Sequence, residues 1–378
     1  MAESNSKEED RISKLPDDVL NNILSCLPTK TAVATGRLSR HWRHLWKHLS
    51  VLNFCDNSYD FQGHSKRFRS FALLVNGVLG TFLHTPHTIQ KFSLNCAHSF
   101  LNDKFRACSV DTWVRTAIGL HPEKLDLNLV SCCSDIQLFK LPLSLFTSTN
   151  LVSLSLRGTI NLHMQSSTQV TLPSLRNLTI DVYYAEVASV NLLLFGCQNI
   201  EILYLKFTTQ SLDKLCIPPS LKRLTISIKK LGRTSTKYKQ WLLAEPHDLH
   251  FQEFRNLVRL ELILPWFRFN YLLNLLQECP MLQVLMIQKN KKSSPISGWH
   301  PKQIVPDCLV SHLTVIEFKG FRGSPDEVSF VEHVLQKGLV LKTLIISDIS
   351  LNQSKKYGVL KRLSNVPRAS ETCQLTFD

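Results

Sequence analysis

Ten times along this chain a short leucine-rich pattern returns, of the form apolar-x-x-apolar-x-apolar. The copies start at Ile89, Pro122, Leu151, Leu175, Ile200, Leu221, Leu257, Leu282, Leu313 and Leu341, with Pro122 a flawed first position. The gaps between starts are 33, 29, 24, 25, 21, 36, 25, 31 and 28 residues. In each copy the last two apolar residues stand two apart, which puts both on one face of a strand. A single six-residue unit closes no core, but stacked units bury each other's apolar faces, so the pattern demands an array. Helix-like runs such as 187–195 and 271–276 fall between the strands and suit the outer side. The fold class expected is α/β.

The spacing scatters around the 20–29-residue period of leucine-rich repeats. An asparagine shortly after the strand would make the stack regular. It is largely missing, since Leu156 is followed by Arg157, Gly158 and Thr159, and only Asn290 stands in its place. An irregular solenoid is therefore expected. A length of 378 residues would suit two or three domains or one elongated array, and the repeat favours a small module on one long array.

The composition, 44% hydrophobic and 20% charged, is ordinary for a folded soluble chain. No run is long and apolar enough to span a bilayer, and the acidic, polar start over residues 1–10 reads as a flexible leader rather than a targeting segment. Eleven cysteines, an odd number without a CxxC pair, are expected to be free thiols in a reducing, intracellular setting of cytoplasm or nucleus.

Residues 11–50 read as a compact helical unit. Pro16 suits the first helical position, and Asp17 and Asp18 follow where the helix dipole favours negative charge. Val19, Leu20, Ile23, Leu24 and Leu27 then mark one helical face, which Pro28 ends. A short helix around 29–35 leads to Ser39, a good N-cap, and Trp42, Leu45, Trp46 and Leu49 repeat at helical spacing. Seven basic residues against Asp17 and Asp18 give this unit a net +5. Forty residues bury little area, so the unit is expected to need a partner.

The chain carries a formal +14, and seven cations without an acid between Lys222 and Gln240 account for +7 of it. This insertion, about 229–250, is read first as a solvated or partner-binding loop. Lys229, Lys230, Arg233 and Trp241 within it, with Trp266 further on, are its candidate substrate contacts. A nucleic-acid site is the alternative, set second because aromatic interleaving is limited to Tyr238 and Trp241. Trp266, Phe267 and Phe269 could line a rim pocket, although aromatics there more often cap a core.

No phosphate-cradling GxxxxGK[ST], no GxGxxG, no HExxH and no GxSxG occurs. Cys96 with His98, and the pair Cys132 and Cys133, come nearest to a metal or thiol site but lack further ligands at the right spacing. No residue is nominated as catalytic, and no metal or cofactor is expected.

Leu15-Pro16-Asp17-Asp18-Val19-Leu20, then Ile23-Leu24, Leu27-Pro28, Leu38-Ser39-Arg40, Trp42-Arg43 and Leu45-Trp46, resemble the F-box motif in its plant form. The later stretch with Trp299, Pro301, Val305-Pro306, Cys308-Leu309, Leu313, Ile316-Glu317, Gly320-Phe321, Glu327, Val334-Leu335, Leu341-Lys342, Ile345-Ile346 and Pro367-Arg368-Ala369-Ser370 resembles the FBD domain. The resemblance to F-box/FBD/LRR-repeat proteins implies an F-box at 11–50, a solenoid at 51–295 and an FBD domain at 296–378. It also implies a substrate-recognition subunit of an SCF-type ubiquitin ligase, partnered by a Skp-type adaptor, a cullin and an unknown protein substrate. Carried onto this sequence, the adaptor contact falls on Leu15, Pro16, Leu20, Ile23, Leu24, Leu27 and Pro28, with Trp42 and Trp46 nearby. An F-box protein acting outside ubiquitination is a further alternative.

Overall fold

A computed structural model describes residues 12–56, 64–82, 88–99, 104–132, 137–209, 215–231, 241–243, 254–264, 267, 269–289, 305–347 and 353–377. The leader therefore lies outside the described residues, as do Trp299 and Pro301 of the FBD-like stretch and most of the basic insertion. The chain divides into two compact units, 1–161 and 162–378.

In the first unit, helices α1 (Asp17–Ser25), α2 (Thr29–Ala34) and α3 (Trp42–Leu45) form the N-terminal module. Pro16 and Pro28 stand one residue before α1 and α2, where their fixed φ and missing N–H cost the helix nothing. Ser39, expected as the N-cap, stands further out, since α3 opens at Trp42 with His41 at its N-cap; Ser39 Oγ still accepts from the backbone N–H of Trp42 at 3.4 Å. Strands β1 (Val51–Cys55), β2 (Lys91–Ser99), β3 (Lys124–Ser131) and, after the two-residue β4 (Phe139–Lys140), β5 (Ser153–Gly158) then pair in parallel in chain order. β4 pairs separately with β6 (Ile160–Asn161). Between β1 and β2 runs α4 (His64–Phe82), and between β2 and β3 runs α5 (Lys104–Gly119). Phe68 of α4 and Trp113 of α5, both fully buried, lie 5.8 Å apart between ring centres.

The second unit stacks β7 (Asn177–Tyr184), β8 (Ile202–Thr209), β9 (Arg223–Leu231), β11 (Arg259–Leu264), β12 (Val284–Lys289), β13 (Val315–Lys319), β14 (Thr343–Ser347) and β15 (Gln374–Phe377) in that order, all parallel. Among the described residues only β10 (Trp241–Leu243) runs antiparallel, against the end of β9. Helices α6 (Val187–Phe195), α7 (Phe269–Gln277), α8 (Asp307–Ser311), α9 (Pro325–Lys337) and α10 (Gln353–Ser364) alternate with the strands.

All ten repeat strands stand where the pattern placed them. Leu203 and Leu205 of β8, Leu260 and Leu262 of β11 and Leu344 and Ile346 of β14 are buried, as are Leu257, Leu282, Leu313 and Leu341 at the turns that enter their strands. Each buried leucine of this kind is worth about 1.5–3 kcal/mol. Two in-line strands escaped the reading. Leu49, Leu52 and Phe54 carry the same spacing into β1 and are buried, whereas β15 has only Leu375 and Phe377 in pattern.

Two glycines end repeat strands under a common constraint. Gly158 has φ +91 and Gly320 has φ +74, and a Cβ there would stand 2.1 Å from the Leu129 carbonyl and 2.3 Å from the Lys289 carbonyl respectively. Only a residue without a side chain fits so close to the preceding strand. Beside the second glycine, Phe321 packs edge-on to Phe318, and buried Glu327 holds the turn. Glu327 accepts the buried ammonium of Lys289 on one oxygen, and on the other the backbone N–H groups of Arg322 at 3.0 Å and Ser324 at 2.9 Å.

Candidate functional site

The apolar face expected on α1 is two stripes. Leu20 and Leu24, four residues apart, are 0% and 1% exposed and point into the module's core with Ala32, Trp42, Leu45 and Leu49. Val19 and Ile23 repeat at the same spacing one position earlier, so they sit about 100° around the axis, and Leu15 stands just before the helix, ahead of the N-cap Pro16. Val19 and Ile23 are 42% and 43% exposed, and Leu15 is nearly as open. Pro16 and Pro28 are exposed as well, while Leu27 and Trp46 are half-buried.

The structure places three of the nine expected contact residues inside the module. Leu20, Leu24 and Trp42 build the scaffold and offer no free area. The Trp42 indole N–H is committed too, donating to Ser13 Oγ at 2.8 Å and so tying the segment before α1 to α3. Three large apolar side chains outside the expected set are exposed on the module as well: Ile12, Val19 and Leu38, the last 70% exposed. The i, i+4, i+8 series of Leu15, Val19 and Ile23 was the signal that could have separated the outer stripe from the inner one.

The module also exposes Lys14, Lys30, Arg37, Arg40, Arg43 and Lys47. Its acids are Asp17 and Asp18, with Asp17 taken up at 3.1 Å by His41. A module that exposes both apolar side chains and six cations is suited to a partner that offers apolar and acidic groups.

Of the candidate substrate contacts, Lys229 and Lys230 belong to β9 and so continue a repeat strand, and Trp241 opens β10. Register sets Trp241 against Leu231, Leu242 against Lys230 and Leu243 against Lys229, so one antiparallel ladder brings three of the five together. Arg233 and Trp266 lie outside the described residues. Phe267 and Phe269 are buried against Phe330, 5.5 and 6.2 Å between ring centres, which makes them caps over the core rather than a rim pocket.

The two nearest approaches to chemistry are structural where they are described. Cys96 is fully buried, and that burial pushes its thiol far above the ordinary range. His98 shares a 3.0 Å hydrogen bond with Thr159 Oγ1, and burial lowers its pKa, favouring the neutral ring. Cys132 is half-buried, and Cys133 lies outside the described residues. Among the described residues no group of three or more His, Cys, Asp or Glu is placed to hold a metal. No helix there is long and apolar enough to cross a membrane.

Comparison with known proteins bears on the same two regions. The family profile described as F-box domain matches residues 12–54, the helical module together with most of β1. The profile described as FBD matches residues 300–346. An F-box/FBD/LRR-repeat protein of Arabidopsis thaliana is 31% identical over 98% of this chain and 100% of its own length. A second from the same plant is 28% identical over 98% and 99%. A putative FBD-associated F-box protein, also of Arabidopsis thaliana, is 29% identical over 97% and 100%.

Proposed function

The chain belongs to the F-box/FBD/LRR-repeat family, and from that premise we propose that it is the substrate-recognition subunit of an SCF-type cullin-RING ubiquitin ligase. The observation that carries the proposal is the outer stripe of α1. Leu15, Val19 and Ile23 stay open in a module whose Leu20, Leu24 and Trp42 are already spent on its own core. That stripe, with Pro16, Pro28, Leu27 and Trp46 beside it, docks a Skp-type adaptor, which joins the cullin. The repeats and FBD region hold a protein substrate. The chain then works by proximity, raising the effective concentration of substrate near a ubiquitin-charged enzyme, and brings no catalytic residue of its own.

Magnitude follows from exposure. Each of the three outer side chains has about two-fifths of its surface free, and full burial of such a residue is worth about 1.5–3 kcal/mol. Together they supply roughly 2–4 kcal/mol, or about 30- to 700-fold in affinity. The test is co-purification of the full chain with a Skp-type adaptor. Leu15→Asp with Val19→Asp and Ile23→Asp should abolish it while the melting temperature stays close to that of the parent. Leu20→Ala, a core truncation costing about 2–5 kcal/mol, should instead lower the melting temperature. Unchanged adaptor binding in the triple variant would sink the assignment.

A further inference from the structure

The open face of the second unit has a pattern the family assignment does not use. On each strand the residues just before and between the buried pair point away from the core, and register aligns them in rows across the sheet. One row reads Ile202, Arg223, Arg259, Val284, Val315 and Thr343 from β8 to β14. Two positions along each strand, the next row carries Glu261, Met286, Glu317 and Ile345 from β11 to β14.

Arg223 and Arg259 are direct register partners on neighbouring parallel strands. Both are exposed, while Leu224 and Leu260 beside them are buried, so the two guanidinium groups leave the same face of the sheet. Like charges directly across a ladder are destabilising, and some opposite charge should meet them. The nearby acids are engaged elsewhere. Glu201 holds Arg176 at 3.0 Å and Lys222 at 2.9 Å, and Asp181 holds Lys206 at 3.1 Å. Glu317 holds Lys319 at 2.9 Å, and Glu261 accepts from Thr225 at 3.4 Å. No carboxylate among the described residues pairs with Arg223 or Arg259. Arg259 leans instead toward Met286, its Nη2 2.8 Å from the Sδ, a weak acceptor.

From that point toward β14 apolar side chains predominate in the two rows, interrupted by Glu317, which Lys319 already neutralises, and by Thr343. Val284, Met286, Val315 and Ile345 are half-buried on adjacent strands. Two cations with no carboxylate partner among the described residues, at one end of a largely apolar strip, describe the complement of an acidic–apolar ligand.

We propose that this face binds an extended acidic–apolar protein segment, with a carboxylate clamped by Arg223 and Arg259 and apolar side chains laid over Val284, Met286, Val315 and Ile345. The proposal rests on the substrate-receptor reading and gives the substrate a chemistry. Four strand spacings of about 4.8 Å separate β9 from β14, roughly 19 Å in all, which about six extended residues cover. An arginine pair suits a carboxylate because its planar forks grip bidentately, and a neighbouring apolar strip removes the water that would weaken the grip. A nucleic-acid backbone would use the cations and leave the strip bare, so the strip favours protein.

The test uses the full chain against a cellulose-bound array of decapeptides composed of Asp, Glu, Leu, Ile, Val, Met, Ser and Gly. A matched array carries Lys and Arg in place of the acids, and a labelled 20-nucleotide single-stranded RNA serves as the third probe. Binding should concentrate on acidic–apolar peptides and fall about tenfold or more in the Arg223→Gln, Arg259→Gln double variant. The charge-reversed variant, Arg223→Glu with Arg259→Glu, should instead select the basic array, a gain that a misfolded protein could not produce. Equal binding to both arrays, an unchanged Gln variant, or tighter arginine-dependent binding of the RNA would each overturn the proposal. Adaptor co-purification is read separately on the same variants and should persist. Its absence in the parent chain would count against the receptor reading and leave the peptide result standing.

Discussion

Glu327→Gln tests how the FBD region is held together. Glu327 and Lys289 are both buried to within 1% of complete, so neither charge can turn to water. The carboxylate accepts from three donors: the Lys289 ammonium and the backbone N–H groups of Arg322 and Ser324. An amide has one oxygen for that work, and its NH₂ would face a donor. Breaking one side of a buried pair costs about 3–5 kcal/mol because the other charge is stranded. For a unit of this size each kcal/mol moves the melting temperature by about 2–4 °C, so the variant should melt roughly 6–20 °C lower. Adding Lys289→Met removes the stranded ammonium, and the amide oxygen can still accept from the turn. The double variant should therefore recover a large part of the loss. Differential scanning fluorimetry on the full chain gives the shifts, and hydrogen exchange over 320–337 shows whether the damage is local. A single variant within about 2 °C of the parent, or a double variant worse than the single, would refute the reasoning. Adaptor binding should be untouched, because the docking stripe belongs to the other unit.

Gly158→Ala and Gly320→Ala should each destabilise by more than about 2 kcal/mol, since a left-handed backbone and a Cβ within 2.1 or 2.3 Å of a carbonyl oxygen add. Gly77→Ala, with open space around a helical position, should stabilise by about 0.5–1 kcal/mol and so serves as the control in the same melts. Thiol labelling at pH 8 should modify the exposed Cys26 and Cys108 and spare Cys197 and Cys308, whose thiols burial pushes up to about 12, until denaturant is added. Because folding raises those two pKa values, the stability they contribute is intact below about pH 9. It should fall as pH rises from about 9 toward 12, where the unfolded thiols ionise first, which a pH series of melts would show.

The array was legible because its signal is chemical and repeated. A strand buried on one side needs apolar residues two apart, and ten copies survive gaps of 21 to 36 residues. β1 carries the same spacing in Leu49, Leu52 and Phe54, yet the helical pattern of Trp42, Leu45, Trp46 and Leu49 claims its first residue. One leucine ends a helical turn and opens a repeat, and a reading by periods assigns it once. β15 was hidden for another reason: Gln374 and Thr376 face solvent and the strand is only four residues long. The site was legible as a segment and not as a face. Periodicity says that α1 is amphipathic, but which of two adjacent stripes turns inward depends on where α2 and α3 pack, and that is decided by tertiary contacts. The charge run likewise gave no hint that Lys229 and Lys230 continue a strand, because basic residues suit a solvated strand as well as a loop.

The half-shared Leu49 also explains how the docking module is mounted. A repeat array exposes the edge of its first strand, and an open edge invites unwanted pairing. Here the outer side of β1 is met by α2, where fully buried Thr29 accepts the backbone N–H of Asn53 on its hydroxyl at 2.7 Å. On the inner side, the Ser50 carbonyl takes the N–H groups of Gln90 and Lys91 at 2.8 and 3.1 Å, locking the start of β1 to β2. The helices that offer the outer stripe of α1 are therefore the cap of the first repeats as well, with no free linker between them. For the proposed receptor, which would work by proximity, this matters, since a flexible joint would spread a substrate over a large volume, whereas a capped array holds the proposed docking face and the first strand in one geometry. The forty-residue module was expected to need a partner in order to fold; its first partner is β1 of its own chain, which leaves the outer stripe free for a second.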